Sequence, residues 1–252
     1  MKRLLTVVAA AVLLLSICGC SQQSPASSNS GSGSGAPSSA SIQSASNNPG
    51  ASAKSYTIAR IVGKPDWSAI EKLDIADAEW TDSFGISAHA QLCHDDQAVY
   101  VRMWADEQDV RATYAADDPL AKCYEDSCLE FFLAPVAGDA RYVNFEFNPN
   151  CALCNEIGVQ KQGRIRLLPE AETLAATSTR TEGGWEVTFQ IPLDYIRTLY
   201  PAFNPEPGTQ MHGNFYKCGN LTAHKHYLAW NHVDSETPNF HTPESFGILV
   251  LE

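Results

Sequence analysis

The sequence is short of positive charge: 17 Lys and Arg stand against 29 Asp and Glu, for a formal net charge of −12. A grip on nucleic-acid phosphates or on an anionic lipid surface needs a basic patch, so nucleic acid is excluded as a partner. Divalent cations and neutral ligands such as sugars stay open. A long apolar run is also missing. Leu4 to Ile17 spans about fourteen residues and is broken by Thr6 and Ser16, short of the about 20 that a membrane-spanning helix needs. No nucleophile elbow, zinc-protease helix or phosphate loop is found, so the chain reads as a non-enzyme. From Ser21 to Ala53 there is no charged residue at all.

What is present at the start is an export signal. Lys2 and Arg3 precede the apolar run, which has the length of a signal-peptide core. It ends in Ile17-Cys18-Gly19-Cys20, which resembles a bacterial lipobox. Residues 1–19 are therefore expected to be a lipoprotein signal peptide and Cys20 the attachment point for acyl (palmitate) chains. Stable anchoring takes more than one such chain. The Ser/Gly/Ala-rich remainder of 20–55 has little to bury and is expected to be a disordered linker, with a reach on the order of 30 Å. These features imply a membrane partner through the anchor and a place in the cell envelope, outside the cytoplasm. Loss of Lys2 and Arg3 with the signal takes the net charge from −12 to −14.

Residues 56–252 are long enough for one substantial core. Their periodicity is that of strands. Ile86–Leu92 and Ala98–Trp104 alternate around the turn His94-Asp95-Asp96-Gln97 and predict a hairpin. Cys128–Leu133 with Tyr142–Phe147, and Thr173–Arg180 with Gly184–Ile191, predict two further pairs. Gln210–Cys218, His226–Trp230 and Phe246–Leu251 complete the set. Short helices are expected only at Trp67–Lys72 and at Leu193–Tyr200, after Pro192. Many short strands with turns between them predict an all-β antiparallel sandwich with one or two short helices.

Three segments carry a resemblance: Glu125–Leu133 with Tyr142–Asn148; Gly213–Cys218; and His226–Trp230 with Asn239–Gly247. In that order, with Trp67 early and Ile191-Pro192 before the short helix, they resemble the family 9-like (DOMON-like) carbohydrate-binding modules of exported bacterial lipoproteins. The resemblance implies a β-sandwich, binding of a glycan or oligosaccharide, and frequently bound calcium. In that family two aromatics sandwich a terminal sugar. The corresponding places hold Tyr124 and Phe240, where family members carry tryptophan. By the same placement Glu130 and Asn144 take sugar hydroxyls, with Lys217 close by, and Glu146 shares a strand face with Asn144. A loop aromatic that only stacks on a ligand can be removed with little effect on folding, so Tyr124→Ala and Phe240→Ala are both expected to spare stability. Trp104 and Trp230 read as core.

Several alternatives stay open. Asp95, Asp96, Asp106, Glu107 and Asp109 could offer oxygens to calcium, but without EF-hand spacing they read equally as charged loops. Relatives of this sandwich bind haem through Met with His or Lys, and Met103 and Met211 are the only methionines after Met1. An electron-transfer domain is thus one rival, and an assembly subunit that has lost sugar binding is another. Cys93, Cys123, Cys128, Cys151, Cys154 and Cys218 are consistent with disulfides or with free buried thiols. Cys151-Ala-Leu-Cys154 could be redox-active, or half of a zinc site completed by Cys123 with Cys128, or by His224 with His226.

Overall fold

The structure is a computed structural model and describes residues 53–252. The signal peptide, Cys20 and all but the end of the linker lie outside the described residues. In chain order the strands are β1 (Ser55–Arg60), β2 (Leu73–Ile75), β3 (Asp77–Ala78), β4 (Ser87–His94) and β5 (Ala98–Asp106). Next come β6 (Ser127–Ala134), β7 (Tyr142–Phe147), β8 (Leu153–Gly158), β9 (Ile165–Arg166), β10 (Thr177–Arg180) and β11 (Gly184–Pro192). The last are β12 (Gln210–Gly219), β13 (His226–Ala229) and β14 (Gly247–Leu251). Two short helices, α1 (Ala171–Leu174) and α2 (Leu193–Leu199), flank β10 and β11.

These strands form a β-sandwich. One sheet runs β10-β11-β5-β4 and the other β14-β12-β6-β7-β8-β9, with β1 joining them. The expected hairpins β4–β5, β6–β7 and β10–β11 are present and antiparallel. β1 departs from the antiparallel expectation. Its first four residues pair in parallel with β14 and its last two pair in parallel with β4, so one strand serves both sheets. Two local expectations differ as well. Trp67–Lys72 forms turns, and the first residues expected of β10 instead form α1.

Alternation sets the core. On β5 and β11, Val101, Met103, Trp185, Val187 and Phe189 point inward, between partly exposed neighbours. From the other sheet come Leu129, Phe131, Phe145, Phe147 and Phe215. Phe131 stacks on Phe215 at 4.4 Å between centroids, and Phe147 meets Phe189 across the layers at 4.8 Å. β7 is buried on both faces, as is all of β6 but its last residue. The reason is a second cluster, including Phe132, Tyr142, Tyr216, Phe240 and Phe246, which packs on the outer face of β6, β7 and β12. That covered outer face is where the chemistry gathers.

Candidate functional site

Alternation along β6 sends Leu129, Phe131 and Leu133 to the core and Cys128, Glu130 and Phe132 to the outer face. Register extends that outer row. Glu130 stands opposite Tyr216 of β12 and Glu146 of β7, and Glu146 stands opposite Cys154 of β8. Cys128 stands opposite Cys218. Glu130, Glu146, Cys154 and Cys218 line a cleft of about 580 Å³, a volume suited to a small ligand. Four aromatic side chains line it too: Tyr124 of the 3-10 turn Cys123–Glu125, Trp80 after β3, Tyr227 of β13, and Phe240 in the loop ahead of β14. Trp80 has φ +57°, a left-handed conformation uncommon for residues that carry a side chain. Its indole N–H donates to the Ser235 carbonyl at 2.6 Å, and its ring meets Tyr227 and Phe240 at 5.6 and 5.5 Å.

The floor is acidic and dry. Burial, with the neighbouring Cys218 thiol, pushes the Glu130 carboxyl well above the usual carboxylate range. Burial does the same to Glu146, aided by the charges of Glu130 and Glu156. Glu146 Oε1 accepts a hydrogen bond from Asn144 Nδ2 at 2.9 Å, while its buried Oε2 has no partner. Leaving such an atom unpaired costs about 1–3 kcal/mol, which a donor on a ligand would recover. Lys122, Lys161 and Arg166 also line the cleft, and Arg166 pairs with Glu156 at 3.3 Å. Arg164 lies over the Tyr142 ring at 4.2 Å and donates to Asn144 Oδ1 at 2.7 Å. His241 meets the Tyr142 hydroxyl through Nδ1 at 2.9 Å. Burial and the charges of Arg164 and Lys161 hold its imidazole down to about 3, and burial pushes Tyr142 up to about 12.

Tyr124, Glu130, Glu146 and Phe240 are therefore brought together, whereas other residues singled out in the sequence are placed elsewhere. Asn144 is fully buried and does not line the cleft; it fixes Glu146 and Arg164. Lys217 does not reach the cleft, because alternation on β12 turns it away from the face that Tyr216 and Cys218 share. There, fully buried, its ammonium lies 3.2 Å from Glu107 and donates to His226 Nε2 at 2.8 Å. Phe240 lines the cleft but is only 8 % exposed and stacks on Tyr216 at 4.1 Å, so it packs the fold as well. Trp230 is core, but Trp104 is half-buried on the outer face of β5, under the Arg102 guanidinium at 5.0 Å. Trp80 escaped the sequence reading. Its one signal is a tryptophan beside the turn formers Thr81-Asp82-Ser83, where no strand requires it.

All six cysteines of the described residues are free. The Cys151–Cys154 pair does not act as a unit: Cys151 packs against the sandwich core while Cys154 sits in the outer cluster. His226 is held by Lys217 and by the His224 carbonyl, which removes it from a zinc set with His224. The five acidic residues proposed for calcium do not fit one ion. Asp95 caps the β4–β5 turn and Asp96 pairs with Arg60 at one end of that hairpin. At the other end Asp106 takes the Ser87 hydroxyl, and Glu107 is tied to Ser127, Trp185 and Lys217. Met103 and Met211 are both buried in the sandwich interior, away from the cleft.

A β-sandwich with an aromatic-lined cleft on the outer face of one sheet belongs to the class of small-ligand-binding modules. More narrowly, the chain belongs to Carbohydrate-binding family 9, whose model matches residues 64–251. It is similar to a Bacteroides uniformis protein described as a candidate carbohydrate-binding protein: 27% identity, 80% of this chain and 100% of that one covered, TM-score 0.69. It shares its fold with a carbohydrate-binding module family 9 of Caldicellulosiruptor kristjanssonii. For the cellotriose complex of that module the identity is 15%, the coverage 79% and 94%, and the TM-score 0.56. For the glucose complex the identity is 15%, the coverage 79% and 96%, and the TM-score 0.55. No curated protein sequence matches the chain.

Proposed function

We propose that this chain is a non-catalytic glycan-binding module, carried on a lipid anchor at Cys20 and exposed in the bacterial envelope by the linker of 20–55. Membership of a carbohydrate-binding family supports the class of ligand. The observation that carries the reading to this cleft is the orphaned Glu146 Oε2 beneath aromatic side chains. Sugars offer what that arrangement lacks: hydroxyl donors for a dry carboxyl floor and C–H faces for the rings. Tyr124, with 40 % of its surface exposed, and Trp80 are the stacking surfaces. Glu130 and Glu146 take hydroxyls from below, and Asn144 holds Glu146 in place. The cellotriose and glucose complexes of the Caldicellulosiruptor module make gluco-oligosaccharides the first ligands to try.

A broad glycan array followed by calorimetric titration tests the reading. Binding by the wild type that Glu146→Gln or Tyr124→Ala weakens at least tenfold is the expected result. An array without a single specific ligand removes the proposal. The anchor is tested apart from the cleft: Cys20→Ala should release the protein from the membrane fraction and leave glycan binding intact.

A further inference from the structure

Three side chains in the cleft floor, two of them cysteines that sugar binding does not use, form a group of their own. Cys128 of β6 and Cys218 of β12 are direct cross-strand partners, and Glu130 follows Cys128 on the same face. Their two Sγ atoms and a carboxylate oxygen all lie within 4.8 Å of one another, and all three residues are buried. Among the described residues no other set of three His, Cys, Asp or Glu donors converges in this way. In a tetrahedral site with Zn–S near 2.3 Å and Zn–O near 2.0–2.2 Å, donor atoms stand about 3.3–3.8 Å apart. Binding would draw any pair now wider apart to that spacing.

Glu146, directly opposite Glu130, is 3 % exposed and leaves Oε2 unpartnered in the same floor. Buried carboxyls and thiols stay neutral unless a positive charge compensates them, and a bound cation would supply that charge. Lys217 pairs with Glu107 on the other face and Arg164 and Arg166 with Glu156, while Lys122, paired with Glu125, and Lys161 line the cleft. Two thiolates and one carboxylate select a zinc-class ion over calcium, which takes 6–8 oxygens.

We propose that Cys128, Cys218 and Glu130 bind a soft divalent cation of the zinc class, with the ion's remaining coordination position open to the cleft. Glu130 and Cys218 line the cleft, so the free side of the ion faces it. Such an ion holds Glu130 in place and leaves Glu146 as the hydroxyl acceptor. The site goes beyond the glycan reading and shares Glu130 with it.

The test uses the full chain, reduced, stripped with chelator and titrated with Co²⁺, then with Zn²⁺. One cobalt per chain with thiolate-to-cobalt charge-transfer absorption is expected, and zinc should displace it stoichiometrically. Cys128→Ser and Cys218→Ser should each weaken or abolish the charge-transfer band, Glu130→Gln should weaken binding by more than the about 10–100-fold that loss of an outer-sphere partner costs, and Cys93→Ser should change nothing. Circular dichroism confirms that each variant is folded. The proposal is overturned by a reduced, folded wild type that takes up no cobalt, or by an undiminished band in both serine variants. A cystine peptide joining Cys128 to Cys218 in freshly isolated protein overturns it too. Glycan binding measured on the stripped chain separates this result from the fate of the glycan reading.

Discussion

Tyr124 leaves 40 % of its surface to solvent, whereas Phe240 leaves 8 % and lies flat against Tyr216. The two substitutions should therefore part company. Tyr124→Ala is expected to weaken glycan binding with the thermal midpoint nearly unchanged. Phe240→Ala empties part of the outer cluster and should cost about 3–5 kcal/mol, as buried Phe deletions do; urea unfolding reads the difference. His241 gives a pH signature at the same scale. Its folded pKa is depressed to about 3, so its stabilising share is complete above about pH 6.5 and is lost as pH falls towards 3. Relative to His241→Gln, the wild type should lose stability across that window at up to about 1.4 kcal/mol per pH unit. Unfolding free energies of both proteins between pH 7 and 4 check the sign. Alternation placed Glu130 on the face away from the core, towards a groove or solvent, and the family resemblance singled it out as a ligand contact. Phe240 as a packing residue was not readable, because nothing local shows which ring will lie over a loop aromatic.

At the scale of strands, the period-2 pattern located the main hairpins, most clearly through β5 and β11, which each have one buried and one partly exposed face. It also located β6 and β7, although both are buried on both sides. It was silent at β8, Leu153–Gly158, whose polar residues hide its strand character. β1 was also missed, since its partners β14 and β4 are far away in sequence and pairing of that kind leaves no local mark. Lys217 shows the cost of placing a residue by motif instead of by face: one step along β12 separates cleft from interior. Gly184 marks a tight point at the start of β11. A Cβ there would sit 1.9 Å from the Ala105 carbonyl oxygen, and backbone on a paired strand cannot retreat. Gly184→Ala should lower stability by about 1–3 kcal/mol, seen as a lower urea midpoint with unchanged cooperativity.

For the whole molecule, the acidic balance and the family point in one direction: a neutral ligand approached without electrostatic steering. Affinity for an uncharged oligosaccharide should then change less than about twofold between roughly 50 and 500 mM salt, conditions that screen surface charges strongly. A steep loss with salt would instead indicate an anionic glycan held by Lys122, Lys161 and Arg166, and calorimetry at two ionic strengths decides. The sandwich was legible from strand spacing and turn residues. The second hydrophobic cluster, which makes the cleft, was not, because it assembles from loops separated by more than a hundred residues, such as those of Trp80 and Phe240.

The strand β1 has a mechanical consequence. A pull applied to the N-terminal side of this domain enters at Lys54 and runs along Ser55–Arg60, whose hydrogen bonds to β14 and then β4 are arranged side by side with respect to that pull. Rupture requires several of those bonds to shear together instead of opening in turn like a zip. The same strand grips the C-terminal β14 and the hairpin strand β4, so the load is shared between both layers of the sandwich. A tethered module that catches a moving polymer would resist detachment of its own first strand, and force spectroscopy from the N-terminus should show a single high-force event.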